Sequence, residues 1–215
     1  MRLDADTFIF FGALVVAIIL HEISHGVVAL WFGDDTAKRA GRLTLNPIPH
    51  IDPFGSIILP AMGALTGIPL IGYAKPVPIN PGRMHNPRRD PLWVSLTGPA
   101  TNLFLMSAAA IAAHLVFQGI DNARFSTLSE TPIGFRILFF FAIVNLSLGV
   151  FNLLPIPPLD GSAIFERFMP ESWRPQWYRF RPYGLIVLFA LVFWTGLAGK
   201  VISPLVSSLA DFVVS

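Results

Sequence analysis

From Phe8 to Phe32 the chain carries no Lys, Arg or Asp, and nearly every residue is apolar. At 1.5 Å per residue a helix over this run is about 37 Å long, enough to cross a hydrocarbon core of roughly 30 Å with some tilt. In lipid no water is available to satisfy backbone N–H and C=O groups, so such a run is confined to a helix. Yet "AIILHEISHGVVAL", Ala17 to Leu30, sets His21, Glu22 and His25 within it. Ionisable groups at membrane depth cost about 2.5–3.5 kcal/mol each on insertion scales, so this cluster requires a reason.

Similar runs recur. Leu92 to Phe117 and about Ile133 to Leu154 read as further spans, and a last one begins near Tyr183 and ends around Gly199. Only 13% of the 215 residues are charged and 53% are hydrophobic, against about 25% charged in soluble domains. The expectation is an all-α polytopic membrane protein of about four transmembrane helices. No cysteine is present, which excludes disulfides, thiolate catalysis and cysteine-based zinc fingers. The net charge of +2 bears on topology rather than on nucleic acid, and no nucleic-acid partner is expected.

The connections are less regular. Leu43 and Leu45 alternate with Arg42 and Thr44, which predicts a short strand before the prolines of "NPIPHIDP". Phe54 to Ala74 is apolar but broken by Pro60, Pro69 and several glycines, which suits a re-entrant or strand-containing hairpin buried in protein. Charge supports that reading. If this segment does not cross, the loops 33–53, 72–91 and 155–182 share one side and hold 11 of the 15 basic residues. The positive-inside rule makes that side cytoplasmic. Glu166 to Pro182, rich in Arg and Trp, reads as an interfacial amphipathic segment.

His21 and His25 lie one helical turn apart, so both imidazoles reach one metal ion, and Glu22 lies beside them. This is the H-E-x-x-H arrangement of zinc hydrolases, in which zinc lowers the pKa of bound water and the carboxylate takes its proton. A catalytic zinc needs a third protein ligand and an open fourth position. Asp160, in "NLLPIPPLDG", is the standout candidate. The prolines unwind the chain, Gly161 allows close approach, and the span before Asp160 runs in the same direction as the first. An N-cap role for Asp160 and ligation by His50 are the competing readings.

HEISH in a first span, "GPATN" at Gly98 to Asn102 and "NLLPIPPLDG" at Asn152 to Gly161 resemble the site-2 protease family of intramembrane zinc metalloproteases. "GRLTLNPIPHIDPFG" and "GYAKPVPINP" are similar to stretches of its bacterial members, and the likeness covers about residues 8 to 165. The resemblance implies one Zn2+ per chain held by His21, His25 and Asp160, with Glu22 as general base. It also implies transmembrane-helix substrates cut within the membrane, expected to be single-span proteins of a bacterial or archaeal cell membrane, while the basic loops and the shared direction of the two spans put the site toward the cytoplasm. It suggests one membrane-embedded peptidase domain over 1–215, with a core of about 8–165 and an amphipathic segment and last span at 166–215, without an added PDZ or CBS domain.

By the same resemblance Asn102 and Asn152 are candidates to support substrate or a developing oxyanion, although a helix–helix hydrogen bond explains a membrane asparagine equally well. Gly98 reads as a site of close helix packing. His50 and Asp52 read as loop residues, or else as residues lining the substrate entrance or bonding to HEISH. His85 reads as a solvated loop residue, and His114 lies too near the far end of its span to reach the metal. A membrane metal-ion transporter and a non-catalytic scaffold are the rival functions.

Overall fold

The computed structural model describes residues 4–58, 62, 74–118 and 127–215. Helices dominate, and no strand occurs among the described residues. Three helices are long and apolar enough to cross a membrane: α1 (Ala5–Trp31), α3 (Asp90–Gln118) and α4 (Ile133–Asn152). They pack on one another as a three-helix bundle.

The bundle follows lipid rather than water logic. Apolar side chains gain nothing by leaving lipid for a protein interior, so close backbone approach and interhelical hydrogen bonds hold such helices together. Many of the buried contact residues are accordingly small, with Ala13, Ala17, Ala109, Ala110, Ala113 and Ala142 all inside, beside a few larger ones such as Phe135 and Leu146. Large residues such as Phe8, Phe11, Phe104, Leu115 and Ile133 point outward. At the end far from HEISH, Arg136 of α4 pairs with Asp6 of α1 and also donates to Ser129 O.

The loops at the opposite end are tied into one layer. Asp34, fully buried just beyond α1, accepts from Thr36 N at 3.0 Å, from Asn80 N at 2.6 Å and from the Thr36 hydroxyl. Thr36 opens the short helix α2 (Thr36–Arg39). His85 N donates to Phe32 O at 2.8 Å, and Lys75 N to His50 O at 3.0 Å. The chain thus leaves α1 and re-enters α3 at the same end of the bundle. Most of the expected re-entrant hairpin, 59–61 and 63–73, lies outside the described residues. Its first part, Pro53–Ile58, is a π-helical turn with Gly55 N bound to Asp52 Oδ1.

Two expectations are corrected. Residues 43–45 form a bend, not a strand. Local side-chain bonds capture the backbone there: Thr44 Oγ1 accepts from Asn46 N, and Asn46 Oδ1 from Ile48 N. Such bonds compete with ladder pairing. The last span is also not one crossing helix. It divides at Gly196, whose left-handed φ of 62° ends α7 (Gly184–Thr195) and starts α8 (Leu197–Val214). At about 18 Å, α7 is shorter than a hydrocarbon core. The amphipathic α8 instead seats Leu209 and Val213 against α3 and α4.

Between α4 and α7, α5 (Asp160–Phe168) packs on α3, and α6 (Arg174–Phe180) meets α5 through its side chains, with the rings of Phe165 and Trp177 5.4 Å apart. Glu166 of α5 accepts from Trp177 Nε1 at 3.1 Å and from the Tyr178 hydroxyl at 2.8 Å. Trp173, Tyr178 and Tyr183 stay exposed, as an interfacial anchor requires.

Candidate metal centre

Three elements converge on one point. From α1, His21 and His25 present their imidazoles edge to face, with Nε2 atoms 3.1 Å apart. From the first residue of α5, Asp160 Oδ2 lies 3.1 Å from His21 Nε2 and 3.2 Å from His25 Nε2. Both histidines are buried. Among the described residues this is the one group of three metal-ligating side chains.

Asp160 reaches this position because the chain cannot continue α4. Pro155, Pro157 and Pro158 forbid a regular helix, and a series of tight turns runs from Leu153 to Ser162. A Cβ on Gly161 would run into the carbonyls of Leu153 and Leu154, so only glycine permits this fold-back. Leu159, not Asp160, occupies the N-cap of α5, and the Asp160 carboxylate is directed to the histidines instead.

The remaining ring nitrogens fix the chemistry. His25 Nδ1 lies 2.7 Å from the carbonyl oxygen of Val94, which can only accept, so Nδ1 carries the proton. His21 Nδ1 lies 2.5 Å from Asn102 Oδ1. Asn102 spends its amide hydrogens on Asn145 Oδ1 at 2.8 Å, and Asn145 in turn donates to Phe141 O at 2.8 Å. That sequence of donors makes Asn102 Oδ1 an acceptor and His21 Nδ1 a donor. In both neutral rings the free lone pair is therefore on Nε2, aimed at the other Nε2 and at Asp160 Oδ2. With both rings neutral, three acceptors face one another, and a bound cation would satisfy all three. Two imidazole nitrogens and one carboxylate oxygen match the protein ligand set of a catalytic zinc centre.

The other expected residues distribute as follows. Glu22 is adjacent, and its Oε2 accepts from Val77 N at 2.7 Å. Gly98 does more than allow helix packing, since a Cβ there would strike the imidazoles of both His21 and His25. Asn102 is fully buried against His21. Asn152 bonds back to Leu148 O on its own helix at 3.0 Å. His50 stays within its loop, with Nε2 bound to Thr44 O at 3.0 Å. His85 is exposed, and His114 stacks on Phe212 near the far end of α3. Two residues of the site, Asn145 and Val94, are not among those singled out from sequence. Asn145 is open to the reasoning applied to Asn102, because an amide inside "FFFAIVNLSLGV" must find a partner. Val94 contributes only a backbone carbonyl and leaves no sequence signal.

The bundle and its centre define a membrane-embedded zinc metalloprotease. Comparison with known proteins places it more narrowly. The profile of Peptidase family M50 matches residues 133–195. The chain is 39% identical over 206 residues to the candidate zinc metalloprotease YwhC of Bacillus subtilis, covering 94% of this chain and 87% of that one. It is 36% identical over 162 residues to the candidate zinc metalloprotease Rip2 of Mycobacterium tuberculosis, covering 74% of this chain and 57% of Rip2. Zinc metalloprotease MJ0392 of Methanocaldococcus jannaschii is 21% identical over 165 residues, covering 77% of this chain and 35% of that one. No solved structure matches. The chain belongs to peptidase family M50, the site-2 protease family of intramembrane zinc metalloproteases.

Proposed function

We propose that His21, His25 and Asp160 hold the zinc, that Glu22 is the general base, and that residues 1–215 act as one peptidase unit. The observation that carries this reading is the convergence of His21 Nε2, His25 Nε2 and Asp160 Oδ2, with the two Nδ1 atoms bonded to Asn102 and Val94. Bound zinc supplies Lewis acidity and a water of lowered pKa. Glu22 Oε1 takes the proton of the attacking water and delivers it to the leaving amine. Asn102, with its amide committed to His21 and Asn145, orients the ligand rather than the oxyanion. Asn152 donates to Leu148 O on its own helix, and its part in supporting substrate or oxyanion is tested by Asn152→Ala.

The substrates are single-span membrane proteins, unwound at the bond to be cut. The centre faces the cytoplasm. Lys38, Arg39, Arg42, Lys75, Arg83, Arg88 and Arg89 all belong to the loops at its end of the bundle, which is the charge bias of a cytoplasmic face. A transporter would need a second set of metal-ligating groups forming a path, and among the described residues such groups gather at one place, His21, His25 and Asp160.

The test is purification in detergent with measurement of bound zinc, beside a search for membrane stubs that accumulate when Glu22 is replaced. Glu22→Gln should keep zinc and lose cleavage. A zinc-loaded Glu22→Gln protein that still cleaves contradicts the assignment of the base. Zinc uptake into vesicles without any cleavage would favour the transporter.

A further inference from the structure

Glu22 is held from outside its own helix. Its Oε2 accepts the backbone N–H of Val77 at 2.7 Å, and among the described residues no second partner engages this carboxylate. Val77 lies in "KPVPIN", Lys75 to Asn80. Proline fixes its own φ, and the residue before a proline is confined to extended conformations. Lys75, Pro76, Val77 and Pro78 are therefore all restricted, and the segment is stiff before any tertiary contact forms.

The prolines also leave few donors, and the segment commits three of them, the N–H groups of Lys75, Val77 and Asn80, to fixed acceptors. Lys75 N goes to His50 O at 3.0 Å and Asn80 N to the buried Asp34 at 2.6 Å, on either side of the Val77 bond. Arg42 grips the segment from above by donating to Lys75 O at 2.5 Å. The Val77 side chain is buried beside Gly26, where a Cβ would lie 3.2 Å from Val77 Cγ1. Gly26 is one turn from Glu22 on the same face of α1. Backbone and side chain of Val77 thus dock on neighbouring positions of one helix face.

We infer that the Pro76–Val77–Pro78 strap is a positioning element for catalysis, with the Val77 N–H fixing one oxygen of Glu22 so that the other meets the attacking water. The inference rests on the reading of Glu22 as general base. A glutamate has several rotatable bonds, and a carboxylate swinging freely at a half-buried site is seldom in reach of the water. A charge-assisted bond to a rigid backbone donor removes that freedom. Val77 touches no substrate and acts only through Glu22. Its side-chain identity is secondary, because the N–H does the work.

The test removes the N–H alone. Val77 is replaced by α-hydroxyvaline through nonsense suppression, which turns the amide into an ester. Turnover is followed on a fluorescent single-span peptide selected beforehand for cleavage by the wild-type protein. The ester variant should bind about one zinc, keep KM within about twofold and lose at least about tenfold in kcat, a loss in the range of a misplaced catalytic group. Val77→Ala, which keeps the N–H, should retain kcat within about twofold. Wild-type kcat in the ester variant overturns the inference. So does an equal loss in Val77→Ala, or loss of zinc together with activity, since either would make the strap merely structural. Glu22→Gln is run in parallel. If it is inert while the ester variant is fully active, only the positioning role fails. If zinc-loaded Glu22→Gln cleaves, the reading beneath it fails as well.

Discussion

Asn102 Oδ1 lies 2.5 Å from His21 Nδ1, a bond between α1 and α3 buried from solvent on both sides. It sets the tautomer of a metal ligand and also joins two helices. Partners of this kind typically affect metal affinity about 10- to 100-fold. Asn102→Leu should weaken zinc binding by about that factor, whereas Asn102→Asp keeps an acceptor and should lose less. Competition with a chelator of known affinity measures both. Equal affinity in Asn102→Leu and wild type would show that the bond does not support the centre.

Gly98 gives a steric prediction. A methyl group there must displace one or both imidazoles, so Gly98→Ala should lower bound zinc well below one per chain. Gly12, on α1, is the control, since a methyl group added there would meet nothing within 4 Å. Gly12→Ala should leave zinc unchanged. Elemental analysis of the two purified variants decides, and full zinc in Gly98→Ala would contradict the close approach.

Asp34 gives a pH dependence outside the membrane. Burial opposes its ionised form, but the Thr36 hydroxyl and the N–H groups of Asn80 and Thr36 outweigh burial and hold the carboxyl below its ordinary value. A depressed folded-state pKa contributes stability that is complete above the unfolded value, about 3.9, and is lost as pH falls through the lower folded value. Asp34→Asn should therefore lower the thermal midpoint by a constant amount from about pH 8 to about 5, and the gap should close below about pH 4. Unfolding in detergent across this range checks it. A gap absent at neutral pH would contradict it.

Arg136 and Asp6 join the far ends of α4 and α1, and the pair is mostly buried. Arg136→Ala should cost about 1–3 kcal/mol, and Asp6→Ala in the Arg136→Ala background should cost little more. A double-mutant cycle on unfolding midpoints tests the coupling, and additive losses would deny it.

The parts legible in sequence are those carried by hydropathy and by ligand spacing. Phe8 to Phe32 must be a helix because lipid leaves a backbone no alternative, and the one-turn spacing of His21 and His25 survives any tertiary arrangement. The parts that escape depend on neighbours. Leu43 and Leu45 alternate like a strand, but Thr44 and Asn46 close local turns first. The last apolar run looks continuous because Gly196 does not lower hydropathy, although it turns the chain into the left-handed region. Gly98 reads as a helix contact in sequence, whereas its neighbours in space are the imidazoles themselves. Val94 acts through a carbonyl that every residue has, so no sequence could single it out.

The ligand set is the centre of this account, and X-ray absorption at the zinc edge tests it most directly. The chain has no cysteine, so Asp160→Cys introduces a thiolate that only a ligand position can bring to the metal. The wild-type spectrum should show nitrogen and oxygen neighbours alone. The Asp160→Cys spectrum should gain one sulfur at about 2.3 Å. A zinc-loaded Asp160→Cys protein whose spectrum equals that of the wild type would place the third ligand elsewhere and contradict the centre described.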